Sequence, residues 1–197
     1  MKAPRAATAA AVMTVACLLA PHAASAQRVG ISAAYVTYTG SDYAGREGGL
    51  GIEGVLRHRT ATGSEVGLGL AGSRAPIKES NASLSIVQVF IEARNVFQQA
   101  EARAVPFLGG RCGWIRQSGE VGDAEFTDDG FSLGATGGVE VAVNPLVAID
   151  VGLTGSYVIF GNAHIEGETV ANTSNSGFQW MFQVGVNLAV PSASARQ

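Results

Sequence analysis

The chain has 197 residues, a formal net charge of −3 and 26 glycines, and only 15% of its side chains are charged. This length allows one domain or at most two small ones, and a hydrophobic content of 47% excludes an intrinsically disordered chain. The small negative charge excludes electrostatic binding of nucleic acid, which needs a basic patch or stripe. The composition therefore predicts a compact, glycine-rich domain.

The first 26 residues have the features of a cleaved signal peptide. Lys2 and Arg5 form a positive region, residues 6–20 are apolar, and 24–26 read Ala-Ser-Ala, a small-residue cleavage site. Cys17 raises the alternative of a lipoprotein, but the residues before it fit a lipobox poorly and apolar sequence continues after it. We therefore predict a signal peptide at 1–26, a barrel domain at 27–190 and a short tail at 191–197.

Apolar and polar side chains alternate with a period of two along most of the remaining chain, as in half-buried β-strands. The alternation is clearest at 147–158, where large apolar residues occupy the odd positions and small or polar residues the even ones. It is least clear in the first strand, because Val36 and Tyr38 fall among its small residues. The sequence predicts eight strands, at 29–39, 49–59, 64–73, 84–95, 104–116, 131–143, 147–158 and 178–190.

The connections between these strands alternate in length. Residues 60–63 and 144–146 are tight, and the second contains the turn signal Asn144-Pro145, while 96–103 is intermediate. Alternating short and long connections are typical of an antiparallel up-and-down barrel, which removes the open edges that a flat sheet would expose. The long connections, rich in Gly, Ser, Asn and Asp, are predicted at 40–48, 74–83, 117–130 and 161–176.

Two kinds of barrel fit this pattern, and they differ in which face is apolar. A soluble carrier barrel points its large apolar residues inward, whereas an outer-membrane barrel points them outward. The polar face here is mostly Gly, Ser, Thr and Ala, which suits a narrow lumen. Lys78 is the only lysine after the leader, although a solvated sheet face would use many. Aromatic residues near the loop-side strand ends resemble an interfacial girdle: Tyr35, Trp114, Tyr157, Phe160, Phe178 and Trp180.

These observations predict an all-β, eight-stranded antiparallel transmembrane barrel. Its lipid-facing band is predicted to comprise Leu133, Val139, Val141, Ile149, Val151, Leu153, Phe182, Val184 and Val186. Its lumen is predicted to hold an ion-pair network, because buried charges must be paired or neutralised. The members of this network are Glu53, Arg57, Glu65, Glu92, Arg94, Arg111, Glu140 and Asp150.

The turn at Asn144-Pro145 makes one prediction about this network specific. A hairpin centred there places Glu140 and Asp150 side by side on the lumen wall, and like charges directly opposite are destabilising. We expect Arg111 or Arg57 to bridge the two acids, because a guanidinium fork suits two carboxylates.

Several segments resemble a known family: PFLGG at 106–110, FSLGATGGVE at 131–140, NP at 144–145 and VAIDVG at 147–152. They are similar to the small outer-membrane β-barrels of the opacity and OmpA-like membrane-domain type, over the whole chain after the leader. The resemblance implies the outer membrane of a Gram-negative-type bacterium, with membrane lipid and the barrel-assembly machinery as partners. It implies no single activity. Such barrels often end on an aromatic residue, whereas this chain continues past Val190.

Three further patterns in the sequence do not change this interpretation. G-x-G-x-x-G occurs at 49–54 and 67–72, but inside strands rather than in the strand–helix unit that binds dinucleotides. A lipid-modifying hydrolase would need a His, a Ser and an acid, which the last loop offers in His164, Glu166, Glu168, Ser174 and Ser176. A hard cation would need oxygen ligands, which Asp123, Glu125, Asp128 and Asp129 offer without EF-hand spacing.

The sequence thus predicts a non-enzymatic barrel, without cofactor or metal, that serves envelope structure or binds a surface ligand through four long loops. A small pore and a lipid-modifying enzyme are the alternatives. Cys112, the only cysteine after the leader, is predicted to face lipid and excludes an internal disulfide.

Overall fold

A computed structural model describes residues 26–40, 46–60, 63–77, 83–97, 102–121, 124–161, 164–165, 168–170 and 175–190. The predicted signal peptide up to residue 25, Cys17, Lys78 and the tail at 191–197 lie outside these residues. Within the described part of the chain no helix is long and apolar enough to cross a membrane.

Eight long antiparallel strands form a closed barrel, as the alternation predicted. Each long strand pairs with the next along the chain, and the first pairs with the last, which closes the sheet. Two further short strands form a hairpin that pairs with the start of β6. The strands are β1 (Ala26–Thr39), β2 (Gly49–Arg59), β3 (Ser64–Pro76), β4 (Ser83–Val96), β5 (Ala104–Val121), β6 (Ala124–Asn144), β7 (Val147–Phe160), β8 (His164–Ile165), β9 (Glu168–Thr169) and β10 (Ser176–Val190).

The register of the pairing fixes the shape of the barrel. Following paired residues once around the sheet from Arg28 leads back to β1 at Tyr38, ten residues along the strand. For eight strands this stagger corresponds to a tilt of about 40° from the barrel axis. A barrel of this size has an interior that side chains can fill.

The two ends of the barrel differ in their connections. At the turn end lie the connections 60–63, 97–103 and 145–146, together with the start of β1 and the end of β10. At the first of these turns Gly63 adopts φ = 87°, which glycine tolerates best. At the last, the Asn144 side-chain oxygen accepts the N–H groups of residues 146 and 147. The other connections define the loop end.

One predicted loop is largely strand. Residues 117–130 were expected to form a long connection, but β5 continues to Val121 and β6 begins at Ala124. The cross-strand pairs explain the difference, because Arg116 binds both Asp129 oxygens at 2.8 Å and the Gln117 amide donates to Asp128 at 2.6 Å. Polar residues therefore form the hairpin here, whereas the sequence pattern associated them with a loop.

Candidate functional site

The outer wall of the barrel carries a continuous apolar band. Thirty-one large hydrophobic residues are exposed on the described chain. Soluble monomeric proteins rarely expose apolar patches of this extent. Members of the predicted lipid-facing band lie on this wall, and Val141 is half-buried. The exposed fractions of the others run from 38% to 62%: Leu133, Val139, Ile149, Val151, Leu153, Phe182, Val184 and Val186.

Aromatic side chains cluster on the outer wall toward the loop end. The ring of Phe178 lies 5.2 Å from that of Tyr157 and 6.4 Å from that of Trp180, and Trp114 is also exposed. Phe160 is a correction to the predicted girdle: it is 1% exposed and lies inside the barrel. Its even number places it on the inward face of β7, and proximity to the strand end concealed this.

Inside the barrel, ten charged side chains fill the half of the lumen nearest the turn end. We call this set the ion-paired half. Five arginines balance five acids, so the formal charges sum to zero, and seven strands supply them. Its members are Arg28, Glu53, Arg57, Arg59, Glu65, Glu92, Arg94, Arg111, Glu140 and Asp150.

Arg94 is the centre of one group of these pairs. Glu140 and Asp150 face each other in the β6–β7 ladder, and Arg94 bridges them. Its Nη1 lies 2.9 Å from Asp150 Oδ2, its Nη2 lies 3.3 Å from Glu140 Oε2, and its Nε lies 2.6 Å from Glu65 Oε2. The bridging residue is therefore Arg94 on β4 and not the predicted Arg111 or Arg57.

Arg111 and Arg57 form a second group around Glu92. Arg111 Nη1 and Nη2 donate to the two oxygens of Glu53 at 2.6 and 3.1 Å, and Nη2 also donates to Glu92 at 2.8 Å. Arg57 Nε donates to Glu92 at 2.9 Å. The Nη1 of Arg57 is 3.9 Å from Asp150, so this arginine links the two groups but contacts only one of the facing acids.

Two arginines of the ion-paired half were absent from the predicted network. Arg28 Nη1 donates to Glu140 at 2.6 Å, and Arg59 lies 3.2 Å from Glu65. Both residues share the parity of the inward positions of their strands, but they lie at the strand ends, where the predicted segments stopped or lost contrast. Their two positive charges make the ion-paired half neutral, whereas the predicted set had three arginines against five acids.

The other half of the lumen is mostly apolar, although Gln117, Asp128 and Gln179 are also buried there. Along β4 the order changes from Leu84 and Ile86 at the loop end to Glu92 and Arg94 at the turn end. The residues that make the first strand irregular, Val36 and Tyr38, belong to this cluster. We call it the apolar half; its buried members are Ala34, Val36, Tyr38, Leu84, Ile86, Ile115, Val158, Phe160 and Met181.

Two small cavities lie among the described residues of the lumen. One, of about 10 Å³, lies among the charged residues, and another of the same size lies beneath the apolar half. A single water molecule needs at least this volume. Arg94 and Arg111 also stack on the buried rings of Phe107 and Phe90, at 4.4 and 3.8 Å. The described side chains therefore occupy much of the lumen.

Those of the remaining candidate residues that the structure describes do not converge on a catalytic or metal site. His164 is exposed, and Ser176 shares a hydrogen bond of 3.0 Å with the hydroxyl of Tyr157. Glu166, Ser174 and Asp123 lie outside the described residues. Among those that are described, no three His, Cys, Asp or Glu side chains are placed to hold a metal ion. Both G-x-G-x-x-G matches lie within strands, in β2 and β3.

Comparisons with known proteins agree with this architecture. No protein-family profile matches the chain, and no curated protein matches it. Among solved structures, Neisserial surface protein A (NspA) aligns with a TM-score of 0.64 at 21% identity, over 82% of this chain and 96% of that one. The outer membrane protein AlkL aligns at 0.55 and 9% identity, over 90% and 96%.

The outer membrane protein W of E. coli aligns with a TM-score of 0.53 and 15% identity, over 86% of this chain and all of that one. At these identities the alignments show the fold. The chain thus resembles small eight-stranded outer-membrane β-barrels, as the sequence segments predicted.

Proposed function

We propose that this chain is a non-enzymatic β-barrel protein of the bacterial outer membrane, with a plugged lumen. The observation that carries the proposal is the combination of an apolar outer wall with an interior in which the described charges are largely ion-paired. An apolar exterior around a polar lumen is the arrangement of outer-membrane barrels. Because side chains occupy both the ion-paired half and the apolar half of the lumen, a structural or surface-binding role is favoured over transport.

The proposal includes the route to the membrane and the partners. The leader at 1–26 directs export, the barrel-assembly machinery inserts the strands, and membrane lipid covers the outer wall. The long connections at the loop end then face the outside, where they are free to bind a surface ligand.

Fractionation and gel mobility test the membrane assignment. The mature protein is expected in the outer-membrane fraction, and it should migrate differently on a detergent gel with and without boiling, because a closed barrel resists detergent until it is heated. A mature protein that is soluble in the periplasm and runs identically in both samples would refute the proposal.

A small pore is the second candidate, favoured by the charged cavity that Glu53, Arg57 and Asp150 help to line. Planar bilayers separate the two. The purified barrel is expected to show no single-channel steps above the background of a bilayer that contains a known non-conducting barrel. Regular steps that disappear in an Arg94 variant would instead establish an ion pathway through the lumen.

A further inference from the structure

We propose that a groove on the outer wall binds one acyl chain of a membrane lipid. The groove, which we call the outer-wall groove, has a volume of about 400 Å³. Its floor is formed by Ala135, Gly137 and Gly155, and its walls include Leu108, Leu153 and Trp180. The inference rests on the proposed membrane location, but it concerns a specific site within a surface that is otherwise lipid-facing throughout.

The two glycines on the floor of the groove differ in the space available to a side chain. A Cβ at Gly137 would lie 3.4 Å from Leu108 Cδ1, an ordinary contact distance. A larger residue therefore has room at this position, yet the space is empty of protein. At Gly155 the situation is the reverse, because a Cβ there would lie 2.6 Å from Trp180 Cζ3. Trp180 thus leans across a glycine and forms one side of the depression.

The chemistry and size of the groove fit a single hydrocarbon chain. Its lining is almost entirely apolar, and a methylene group occupies roughly the 30 Å³ that a water molecule takes in the liquid, so about a dozen methylenes fill it. A second copy of this protein is a poorer occupant. A stable protein interface takes about 20–30 residues on each side, whereas eight residues line the groove.

The direction of the groove also suits a lipid. It extends from Leu108, near the turn end of β5, to Phe178, near the loop end of β10. Beside its loop end the exposed hydroxyl of Tyr157 shares a hydrogen bond with Ser176, which places polar groups where a lipid headgroup would lie. A lipid of the loop-side leaflet would therefore lay its chain along the groove with its headgroup beside these hydroxyls.

The chain contains only two tryptophans, and they provide a matched pair of reporters. Trp180 lines the groove and Trp114 does not, yet their exposed fractions are 37% and 40%. Phosphatidylcholine with brominated acyl chains, which quenches tryptophan on contact, is titrated into the folded mature protein in detergent. With Trp114→Phe, the emission of Trp180 is expected to fall saturably at about one lipid per barrel. With Trp180→Phe, the emission of Trp114 should fall only in proportion to the lipid in the micelle.

Variants that fill the groove test the site itself in the Trp114→Phe background. Ala135→Leu and Gly137→Leu should each weaken saturable quenching of Trp180 by about tenfold, because leucine takes the place of several methylenes of the lipid. Ala33→Leu, at an exposed position near the middle of β1, should leave it unchanged. Unaltered heat-dependent gel mobility verifies the fold of each variant.

The outcomes separate this inference from the proposed function. Equal, non-saturable quenching of both tryptophans overturns the groove site and leaves the membrane barrel intact. The same holds if both leucine variants fold and bind as the parent does. If neither tryptophan is quenched in vesicles made entirely of the brominated lipid, the outer wall does not face lipid, and the proposed function fails with the inference.

Discussion

The ion-paired half and the apolar half of the lumen fill the same barrel by different physical means. The apolar half is packed mainly through van der Waals contacts, although the Gln179 amide donates to the Tyr38 hydroxyl at 3.1 Å, so its stability depends mostly on volume and shape. In the ion-paired half each guanidinium has defined acceptors, often on distant strands: Arg94 on β4 contacts acids on β3, β6 and β7. A charge left unpaired there keeps its full desolvation cost.

This difference predicts unequal tolerance to substitution. Removing one partner of a buried ion pair is strongly destabilising, whereas replacing the whole pair by apolar groups is often neutral. In a packed apolar cluster the cost instead follows the volume removed. Double variants therefore distinguish the two halves. In the ion-paired half a second substitution should recover part of the lost stability, whereas in the apolar half the two losses should add.

The largest effect is expected at Arg94. Arg94→Met leaves Glu65, Glu140 and Asp150 with one fewer shared cation and should lower the free energy of unfolding by about 3–5 kcal/mol. Urea unfolding of the barrel in lipid vesicles, followed by tryptophan fluorescence, measures this. Adding Glu140→Gln to Arg94→Met should restore much of the loss. A double variant less stable than the single one would show that the pairing does not act as described.

The outer wall that surrounds both halves should give the next effect. Val184→Arg places a charge on the lipid-facing side of β10 and is expected to cost about 2–4 kcal/mol near the midplane. Thr154→Ser, on the inward face of the neighbouring strand, keeps the hydroxyl that contacts Thr136 at 3.0 Å and should cost no more than about 0.8 kcal/mol, the value of one methyl group. Equal costs in the same unfolding assay would indicate an error in the assignment of the faces.

The apolar half should respond more gently. Ile115→Val removes one methylene from a fully buried side chain and is expected to cost about 0.5–1.5 kcal/mol. Combined with Val158→Ala in the same cluster, the loss should increase rather than recover, unlike the Arg94 double variant. Recovery in this pair would remove the physical distinction between the two halves.

Features fixed by neighbouring residues could be predicted from the sequence, whereas features fixed by contacts across the whole barrel could not. The facing of Glu140 and Asp150 follows from the position of one turn, so local register was enough to predict it. The bridging role of Arg94 depends on the stagger of the whole barrel and on side chains that reach across the lumen. No local pattern carries that information, and a bridge from neighbouring β5 was the natural but incorrect expectation.

The apolar half was not predicted, for a different reason. The alternation separates inward from outward positions, but it does not say that every inward residue is polar. Val36, Tyr38 and Phe160 have the correct parity for the lumen, and treating the inward face as uniformly polar made the first two look irregular and placed the third in the girdle. Their common location near the loop-side strand ends was the available signal.

The smallest effect is expected at the loop end of the barrel, where the β5–β6 hairpin carries exposed charges outside the proposed membrane band. Arg116 and Asp129 form a bidentate pair there, but their side chains are 49% and 44% exposed. Water and salt screen such a pair, so a double-mutant cycle of Arg116→Gln and Asp129→Asn should give a coupling of about 0.2–1 kcal/mol. The coupling should decrease further in 1 M salt, where the screening length is about 3 Å. The same cycle on Arg94 and Glu140 should give a larger coupling that hardly changes with salt, because the lumen excludes the ions that screen the hairpin. If both cycles weaken equally with salt, solvent ions reach the ion-paired half, and the lumen is open rather than plugged.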